Sequence, residues 1–215
     1  MGRYHAKMGW LTEEVMDKSH CAMIDVVFEL KGESLPTSYP FALWDELVRC
    51  APQLANDDLV GIIPLRTVQS GENMLLPKRA KLAIRLPQAQ AEIITVLTGR
   101  ELNISGNKLR LGACQPRPIQ PHPTLHAQLV IGTDDEAGFL KEIQADLDAM
   151  NIQGRLICGK RQALSDNSHT LIGHSLVIYD LAPSASLHLQ NAGLGAGRRF
   201  GCGIFMPYKI ISGLE

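Results

Sequence analysis

Residues 125–151 read LHAQLVIGTDDEAGFLKEIQADLDAMN, and this stretch decides how the chain is divided. Its first eight residues, LHAQLVIG, are typical of a β-strand because apolar and β-branched side chains dominate them. Thr133 and Glu136 have the spacing of a capping box, which marks the start of a helix. An apolar stripe at helical spacing follows and predicts a buried helix face, formed by Phe139, Leu140, Ile143, Leu147 and Met150.

The segments that follow this helix complete a unit with the order β-α-β-β-α-β. They are two predicted strands, GRLICGKRQAL (154–164) and HSLVIYDL (174–181), a short helix, SASLHLQNAG (184–193), and a closing strand, GCGIFMPYK (201–209). This order is that of a ferredoxin-like, or RRM-like, domain.

The first half of the chain shows the same order. Its predicted strands are AMIDVVFEL (22–30), LVGIIPLR (59–66), KRAKLAIRL (78–86) and the hairpin ELNISGNKLRLG (101–112). Its predicted helices are LPTSYPFALWDELVRC (35–50) and PQAQAEIITVLTG (87–99). In the second helix we expect Ile93, Ile94 and Leu97 to face inward. Four prolines within residues 114–124 predict a stiff linker. We therefore expect an α+β protein of two tandem ferredoxin-like domains, residues 20–118 and 119–215, with a C-terminal glycine-rich loop.

The composition is that of a globular protein, with 215 residues, 45% hydrophobic residues, 20% charged residues and a net charge of -1. No apolar run approaches the roughly 18 residues of a membrane span, and the N-terminus lacks the apolar core of a signal peptide. The five cysteines are widely spaced and form no C-x-x-C pair. We therefore expect reduced thiols in a cytoplasmic protein, and neither a membrane partner nor a metal site.

Positive charge is concentrated in one part of the chain. Residues 61–120 contain nine Lys or Arg residues and three Asp or Glu residues. Such a region on a neutral protein fits either a surface that binds a polyanion or an ordinary solvated face, and charge alone leaves both interpretations open.

Residues 191–205 read NAGLGAGRRFGCGIF and place five glycines beside two adjacent arginines. A dinucleotide-binding fingerprint would open a helix, but RRFGCGIFMP is a poor helix former, so we expect no cofactor. A tight helix-to-strand turn would need one or two of the glycines. A phosphate-binding loop would use more of them, because bare backbone lets a phosphodiester approach the main-chain N–H groups while arginine supplies charge.

The segment LHLQNAGLGAGRRFGCGIFMPYK resembles the C-terminal loop of CRISPR repeat-processing endoribonucleases of the RAMP superfamily. DVVFELKGESLP, GIIPLR, LLPKRAKLAIRLP and LRLGACQPRPIQPHPTLHAQLV extend the likeness over residues 23–209, nearest to the subtype first described from myxobacteria. The resemblance implies tandem ferredoxin-like domains and cutting of CRISPR repeat RNA into guide RNAs. It also implies a metal-independent reaction, in which the ribose 2′-hydroxyl attacks the adjacent phosphate and leaves a 2′,3′-cyclic phosphate.

The family commonly carries a catalytic histidine after the LP dipeptide that precedes the first helix. Here the segment reads LPTSYPFALW, and Tyr39 takes that position. The resemblance makes Tyr39 the expected active-site residue, with Ser38 and Lys31 as helpers, although tyrosine is a poor base at neutral pH. Packing at the start of the helix is the alternative role for Tyr39. His20 and His126 are the histidines that we expect to substitute if Tyr39 does not act.

The expected RNA contacts lie in the second domain and its glycine-rich loop. They are Lys160, Arg161, Gly193, Gly195, Gly197, Arg198, Arg199 and Lys209. The tyrosine in place of histidine keeps open a second function, a subunit that holds CRISPR RNA in an effector complex without cutting it. A small-molecule enzyme of the same fold is disfavoured, because the sequence shows no carboxylate or metal-ligand cluster.

Overall fold

A computed structural model describes residues 22–71 and 73–208 of the chain, which adopt a mixed α+β fold with antiparallel sheets. The strands are β1 (Met23–Lys31), β2 (Ser34–Pro36), β3 (Gly61–Ile63), β4 (Val68–Ser70), β5 (Asn73–Leu75), β6 (Lys81–Pro87), β7 (Glu101–Ile104), β8 (Asn107–Pro118), β9 (Leu125–Ile131), β10 (Arg155–Ser165), β11 (Thr170–Tyr179) and β12 (Met206–Pro207). The α-helices are α1 (Tyr39–Cys50), α2 (Glu136–Ala149) and α3 (Pro183–Ala192). Short 3₁₀ segments cover Pro52–Asn56, Gln88–Gln90, Ile93–Leu97 and Arg198–Phe200.

The first large sheet has the strand order β3-β6-β1-β8-β7, with β1 at its centre. Val26 of β1 lies opposite Ile84 of β6, and both are buried. Leu43 and Leu47, four residues apart on α1, share the same core cluster as these strand residues. The first six residues of β1 are all buried instead of alternating with exposed ones, because the core covers the face that carries Val26 and segments from the second half of the chain cover the face that carries Asp25.

The second large sheet has the strand order β10-β11-β9-β12. Its core contains Phe139, Ile143 and Leu147 from α2, so the predicted apolar stripe is confirmed at these positions. The predicted capping box is wrong in detail. Asp135, not Thr133, caps α2, because its carboxylate accepts a hydrogen bond of 2.7 Å from the N–H of Gly138.

The predicted helix over residues 87–99 is wrong, because the chain forms only short 3₁₀ segments there. Its second part is the β-branched run Ile93-Ile94-Thr95-Val96, and such side chains lose rotamer freedom in an α-helix. Ile94 and Leu97 are buried as predicted, whereas Ile93 is 40% exposed.

The linker and the closing strand also differ from the prediction. Residues 114–118 extend β8 and pair with β1, and prolines are tolerated there because β7 pairs with β8 only over residues 107–110 and leaves this part as an edge. Within the described part of the chain, the closing strand covers Met206–Pro207 and not residues 201–205, since Gly201 and Gly203 have positive φ angles, which a strand excludes. A small sheet with the order β2-β5-β4 was not predicted, because its three-residue strands carry no measurable pattern.

A buried arginine joins the two halves of the chain. Arg85 on β6 is 1% exposed and donates to both carboxylate oxygens of Asp25, at 2.7 and 3.1 Å. Its Nη1 also donates to the carbonyl oxygens of Gln190 at the end of α3 and Phe205 before β12, at 3.0 and 2.9 Å. One guanidinium therefore ties the first sheet to the segments on both sides of the glycine-rich stretch.

Within residues 22–71 and 73–208, no helix combines the length and the apolarity needed to span a bilayer.

Candidate nucleic-acid interface

The glycine-rich loop, residues 193–205, connects α3 to β12. Its five glycines all have positive φ angles, between 66° and 86°. A Cβ atom on Gly203 would lie 1.9 Å from the carbonyl oxygen of Leu194, and one on Gly193 would lie 2.6 Å from the carbonyl oxygen of Gly203. The loop therefore needs glycine for its own backbone path, and at more positions than the one or two that a tight turn was expected to need.

Arg198 lies inside this loop and is only 8% exposed. Its Nε donates to the carbonyl oxygen of Leu59 at 3.2 Å, and its Nη1 donates to that of Ala192, the last residue of α3, at 2.6 Å. Burial, together with the nearby charge of Arg85, lowers the pKa of Arg198 to about 10. This geometry corrects the expectation that Arg198 faces RNA phosphate, because its donors hold the loop against the first half of the chain.

Arg199, the next residue, is exposed and lies beside the half-buried ring of Phe200, which packs on the buried ring of Phe41. Its guanidinium carbon is 5.5 Å from the ring centroid of Phe200, which is 4.7 Å from the ring of Phe41 on α1. The ring of Phe41 is in turn 5.9 Å from that of His169, with 19° between the ring planes. We call these four residues, Phe41, His169, Arg199 and Phe200, the hairpin–loop face, because the hairpin of β10 and β11 and the glycine-rich loop meet α1 there.

Tyr39 does not lie on an open surface. It is 8% exposed, and its hydroxyl oxygen accepts a hydrogen bond of 3.1 Å from the N–H of Leu65. Burial raises the pKa of Tyr39, so the phenol stays protonated at neutral pH. The structure thus agrees with the packing role for Tyr39 and not with direct contact to RNA.

The two helpers expected beside Tyr39 lie in different surroundings. Ser38 is half-buried in front of α1, and its side chain makes no capping hydrogen bond. Lys31 is exposed at the end of β1 and lines a surface depression with Lys108 and Arg110, and the lining of that depression includes neither Tyr39 nor Ser38. His20 and Lys209 lie outside the described residues.

Both predicted cations of β10 are exposed, but Arg161 is held in an ion pair. Lys160 is exposed within the irregular stretch between Cys158 and Arg161. Arg161 forms an ion pair with Asp134, which lowers the pKa of that carboxyl group through a hydrogen bond and charge attraction. Lys160 is therefore the cation of this strand that has more freedom to reach a phosphate.

His126 lies in a separate groove of about 590 Å³ between the two large sheets, which we call the inter-sheet groove. Its ring is 5.3 Å from the ring of Tyr208, and Arg66, Arg117 and Gln128 line the same groove. Burial lowers the pKa of His126, so this imidazole is neutral at neutral pH. Cations and aromatic rings are groups that bind single-stranded nucleic acid.

The described residues also bear on metal and thiol chemistry. Among them, no three His, Cys, Asp or Glu side chains are grouped so that they could hold a metal ion. Cys50, Cys114, Cys158 and Cys202 are free thiols, and burial raises the pKa of Cys202 to about 12. A buried thiol of this kind acts as a small apolar side chain.

Comparison with known proteins places this geometry in a family. The family model Cas6, described as Cas6 Crispr, matches residues 24–210. The chain belongs to the Cas6 family. The resemblance to CRISPR-associated RAMP proteins that was inferred from the glycine-rich segment is thereby confirmed.

Individual relatives agree with this family. The CRISPR-associated endonuclease Cas6 of Myxococcus xanthus (strain DK1622) is 28% identical over an alignment of 212 residues, which covers 93% of this chain and 92% of the relative. The solved structure "CRISPR associated protein Cas6" has a TM-score of 0.61 at 9% identity and covers 87% of this chain and 100% of its own. The structure "An RAMP protein binding different RNA substrates" has a TM-score of 0.62 at 11% identity and covers 86% and 100%. At these identities the two structures show a shared fold.

Proposed function

We propose that this Cas6-family protein is a metal-independent endoribonuclease, which binds the repeats of a CRISPR transcript and cuts the precursor into guide RNAs. The observation that carries the proposal is the hairpin–loop face, where the exposed guanidinium of Arg199 lies beside the half-buried ring of Phe200, which packs on the buried ring of Phe41. Arginine binds phosphate through paired donors, and RNA-binding proteins stack unpaired bases on aromatic rings. The relative from Myxococcus xanthus is a CRISPR-associated endonuclease, which supports the same activity.

The proposed reaction needs only the RNA and protein side chains. The 2′-oxygen of a ribose forms a bond to the adjacent phosphorus and loses its proton, while the bond from phosphorus to the 5′-oxygen of the next nucleotide breaks. The leaving oxygen gains a proton, and the products are a 2′,3′-cyclic phosphate and a 5′-hydroxyl. A cation at the phosphate stabilises the charge that develops on its oxygens, and Arg199 is positioned on the surface for this role.

Other exposed cations are further candidates for contact with phosphate. Lys160 and Arg161 on β10 are the cations nearest in sequence to the tip of the hairpin, and we propose that they bind the repeat backbone, with Arg161 limited by its ion pair to Asp134. Gly193, Gly195 and Gly197 shape the loop that presents Arg199. The inter-sheet groove is a second surface, where a single strand could lie against Arg66 and Arg117.

The proposed architecture is two tandem ferredoxin-like domains, residues 20–118 and 119–215. The sheet orders β8-β1-β6-β3 and β12-β9-β11-β10 each support it, since they follow the 4-1-3-2 strand order of that fold. The boundary is supported by the residues after β8, because the carbonyl of Pro123 accepts from the N–H of Leu181 and the N–H of His122 donates to Ser186. We further propose a cytoplasmic location and association with other CRISPR effector subunits.

The alternative function is a subunit that binds CRISPR RNA without cutting it. One observation favours it: Tyr39, which matches the usual histidine position, is buried with its hydroxyl bound to the backbone of Leu65. A buried phenol that stays protonated at neutral pH is a poor base for a 2′-hydroxyl.

The test is incubation with end-labelled CRISPR repeat RNA in excess EDTA. The matched control is the same RNA with a 2′-deoxy sugar at the scissile position. We expect one cut in the all-ribose strand, a 2′,3′-cyclic phosphate on its product, and no cut in the control. Tight binding without cutting would favour the alternative function, and cutting of the deoxy strand would refute the proposed reaction.

A further inference from the structure

The turn between β10 and β11 is held by one carboxylate. Asp166 Oδ1 accepts from the N–H groups of Ser168 and His169, at 2.7 and 2.6 Å. The N–H of Asp166 donates to the carbonyl of His169 at 3.0 Å, which closes the turn. These backbone hydrogen bonds, and a weaker contribution from the His169 side chain, lower the pKa of Asp166, so the carboxylate is charged at neutral pH.

The same carboxylate orients the imidazole of His169. His169 Nδ1 is 3.4 Å from Asp166 Oδ2, while the other side of the ring stacks on Phe41. A carboxylate accepts but does not donate, so this contact favours the tautomer with the proton on Nδ1. The second ring nitrogen, Nε2, then carries a lone pair on a side chain that is 68% exposed.

Three elements therefore bring distinct chemical groups to one surface. The hairpin supplies a histidine paired with a carboxylate, α1 supplies the ring of Phe41, and the glycine-rich loop supplies Phe200 and the exposed Arg199. A base for the 2′-hydroxyl and a cation for the charge that develops on phosphate are groups that this reaction needs, while the buried ring of Phe41 holds the imidazole in place. Tyr39, the residue of the first helix that was expected to act, is buried.

We propose that His169 is the catalytic base of the reaction, delivered to α1 by the β10–β11 hairpin from the second half of the chain. This inference rests on the proposed endoribonuclease function. Nε2 of His169 takes the proton of the 2′-hydroxyl as the 2′-oxygen bonds to phosphorus. The bond to the 5′-oxygen breaks, and solvent water protonates that oxygen. Arg199 neutralises charge on the phosphate, and Asp166 is a positioning residue that acts through His169.

The histidine of the inter-sheet groove is too distant to share this role. His126 pairs with Val177 near one end of β11, whereas His169 immediately precedes the other end at Thr170. At about 3.4 Å per residue, Thr170 and Val177 are roughly 24 Å apart along the strand. His126 can contact the same RNA but not the same phosphate.

The test compares single-turnover cutting of repeat RNA by the full chain and by variants. We expect His169→Ala to slow cutting by about 10²–10⁴-fold, as general-base removal does, with little change in RNA affinity. His169→Gln, which retains a polar side chain of similar size, should be equally slow, and His188→Ala on α3 is the matched control. Added imidazole should restore part of the rate of His169→Ala and leave the control unchanged.

Asp166→Asn is an independent test of the positioning role of Asp166. An asparagine oxygen can still accept from the backbone N–H groups of the turn, but the side chain loses the charge that favours the Nδ1–H tautomer. We expect slower cutting with unchanged affinity. If His169→Ala and His169→Gln cut at the original rate, or if imidazole restores nothing, His169 is not the base although the proposed function stands. If the unmodified chain fails to cut, both proposals fail.

Discussion

Removing the guanidinium of Arg85 tests how the two halves of the chain are held together. Arg85 and Asp25 are both buried, and the same side chain also donates to the carbonyl oxygens of Gln190 and Phe205. Arg85→Met leaves a buried carboxylate without its cation, and such a loss costs about 3–5 kcal/mol. Each carbonyl left without a donor adds about 1–3 kcal/mol if water does not reach it. We therefore expect the free energy of unfolding to fall by at least about 3 kcal/mol, a large share of the roughly 5–15 kcal/mol of a typical domain.

The assay is urea unfolding followed by tryptophan fluorescence, which reports on Trp44 in the first core together with Trp10. The matched control is Arg49→Met, which removes an exposed arginine that pairs with Glu46, and there we expect little change. A double variant, with leucine at both Arg85 and Asp25, should recover much of the loss, because no buried charge is left unpaired. If Arg85→Met unfolds at the same urea concentration as Arg49→Met, the buried ion pair does not stabilise the junction.

Three further predictions concern single positions. Tyr39→Phe should lower the unfolding free energy by about 1–3 kcal/mol, because the buried N–H of Leu65 loses its acceptor, and should leave the rate of RNA cutting unchanged. A large fall in the cutting rate with unchanged stability would instead show that Tyr39 takes part in the reaction. Gly203→Ala should lower the melting temperature more than Gly71→Ala, since both have positive φ but only the first meets a main-chain oxygen, and equal shifts in a thermal scan would contradict this. Burial lowers the pKa of His126 below its unfolded value, so the contribution of this neutral imidazole to stability is fully present above about pH 6.5 and is lost as the pH falls. Between pH 7.5 and pH 5, the free energy of unfolding in urea should therefore fall less for His126→Gln than for the unmodified chain.

The order of the main elements could be predicted from local patterns. The strand Leu125–Ile131 and the helix Glu136–Ala149 follow from an apolar run and an apolar stripe, because each buries one side against its own half. Residues 87–99 have the same kind of apolar spacing but fail to form an α-helix, since β-branched side chains oppose it. Spacing alone does not separate these two outcomes.

The candidate site was less accessible to sequence reasoning, because its groups come from distant parts of the chain. Arg198 and Arg199 are adjacent and chemically identical, yet a 3₁₀ turn buries the first and exposes the second. Nothing local shows that His169 will stack on Phe41, since that contact depends on how the hairpin of one half meets the helix of the other. The glycine spacing indicated the loop correctly but not which of its arginines would be free to bind.

The claim that CRISPR repeat RNA is cut on the hairpin–loop face is tested most directly by photocrosslinking. An uncleavable repeat RNA, with a 2′-deoxy sugar at the scissile position and photoreactive bases on either side, would be bound and irradiated, and the attached peptides identified by mass spectrometry. We predict crosslinks to the peptides that carry Phe41, His169 and Phe200. Crosslinks confined to the inter-sheet groove, around His126 and Tyr208, would contradict the account.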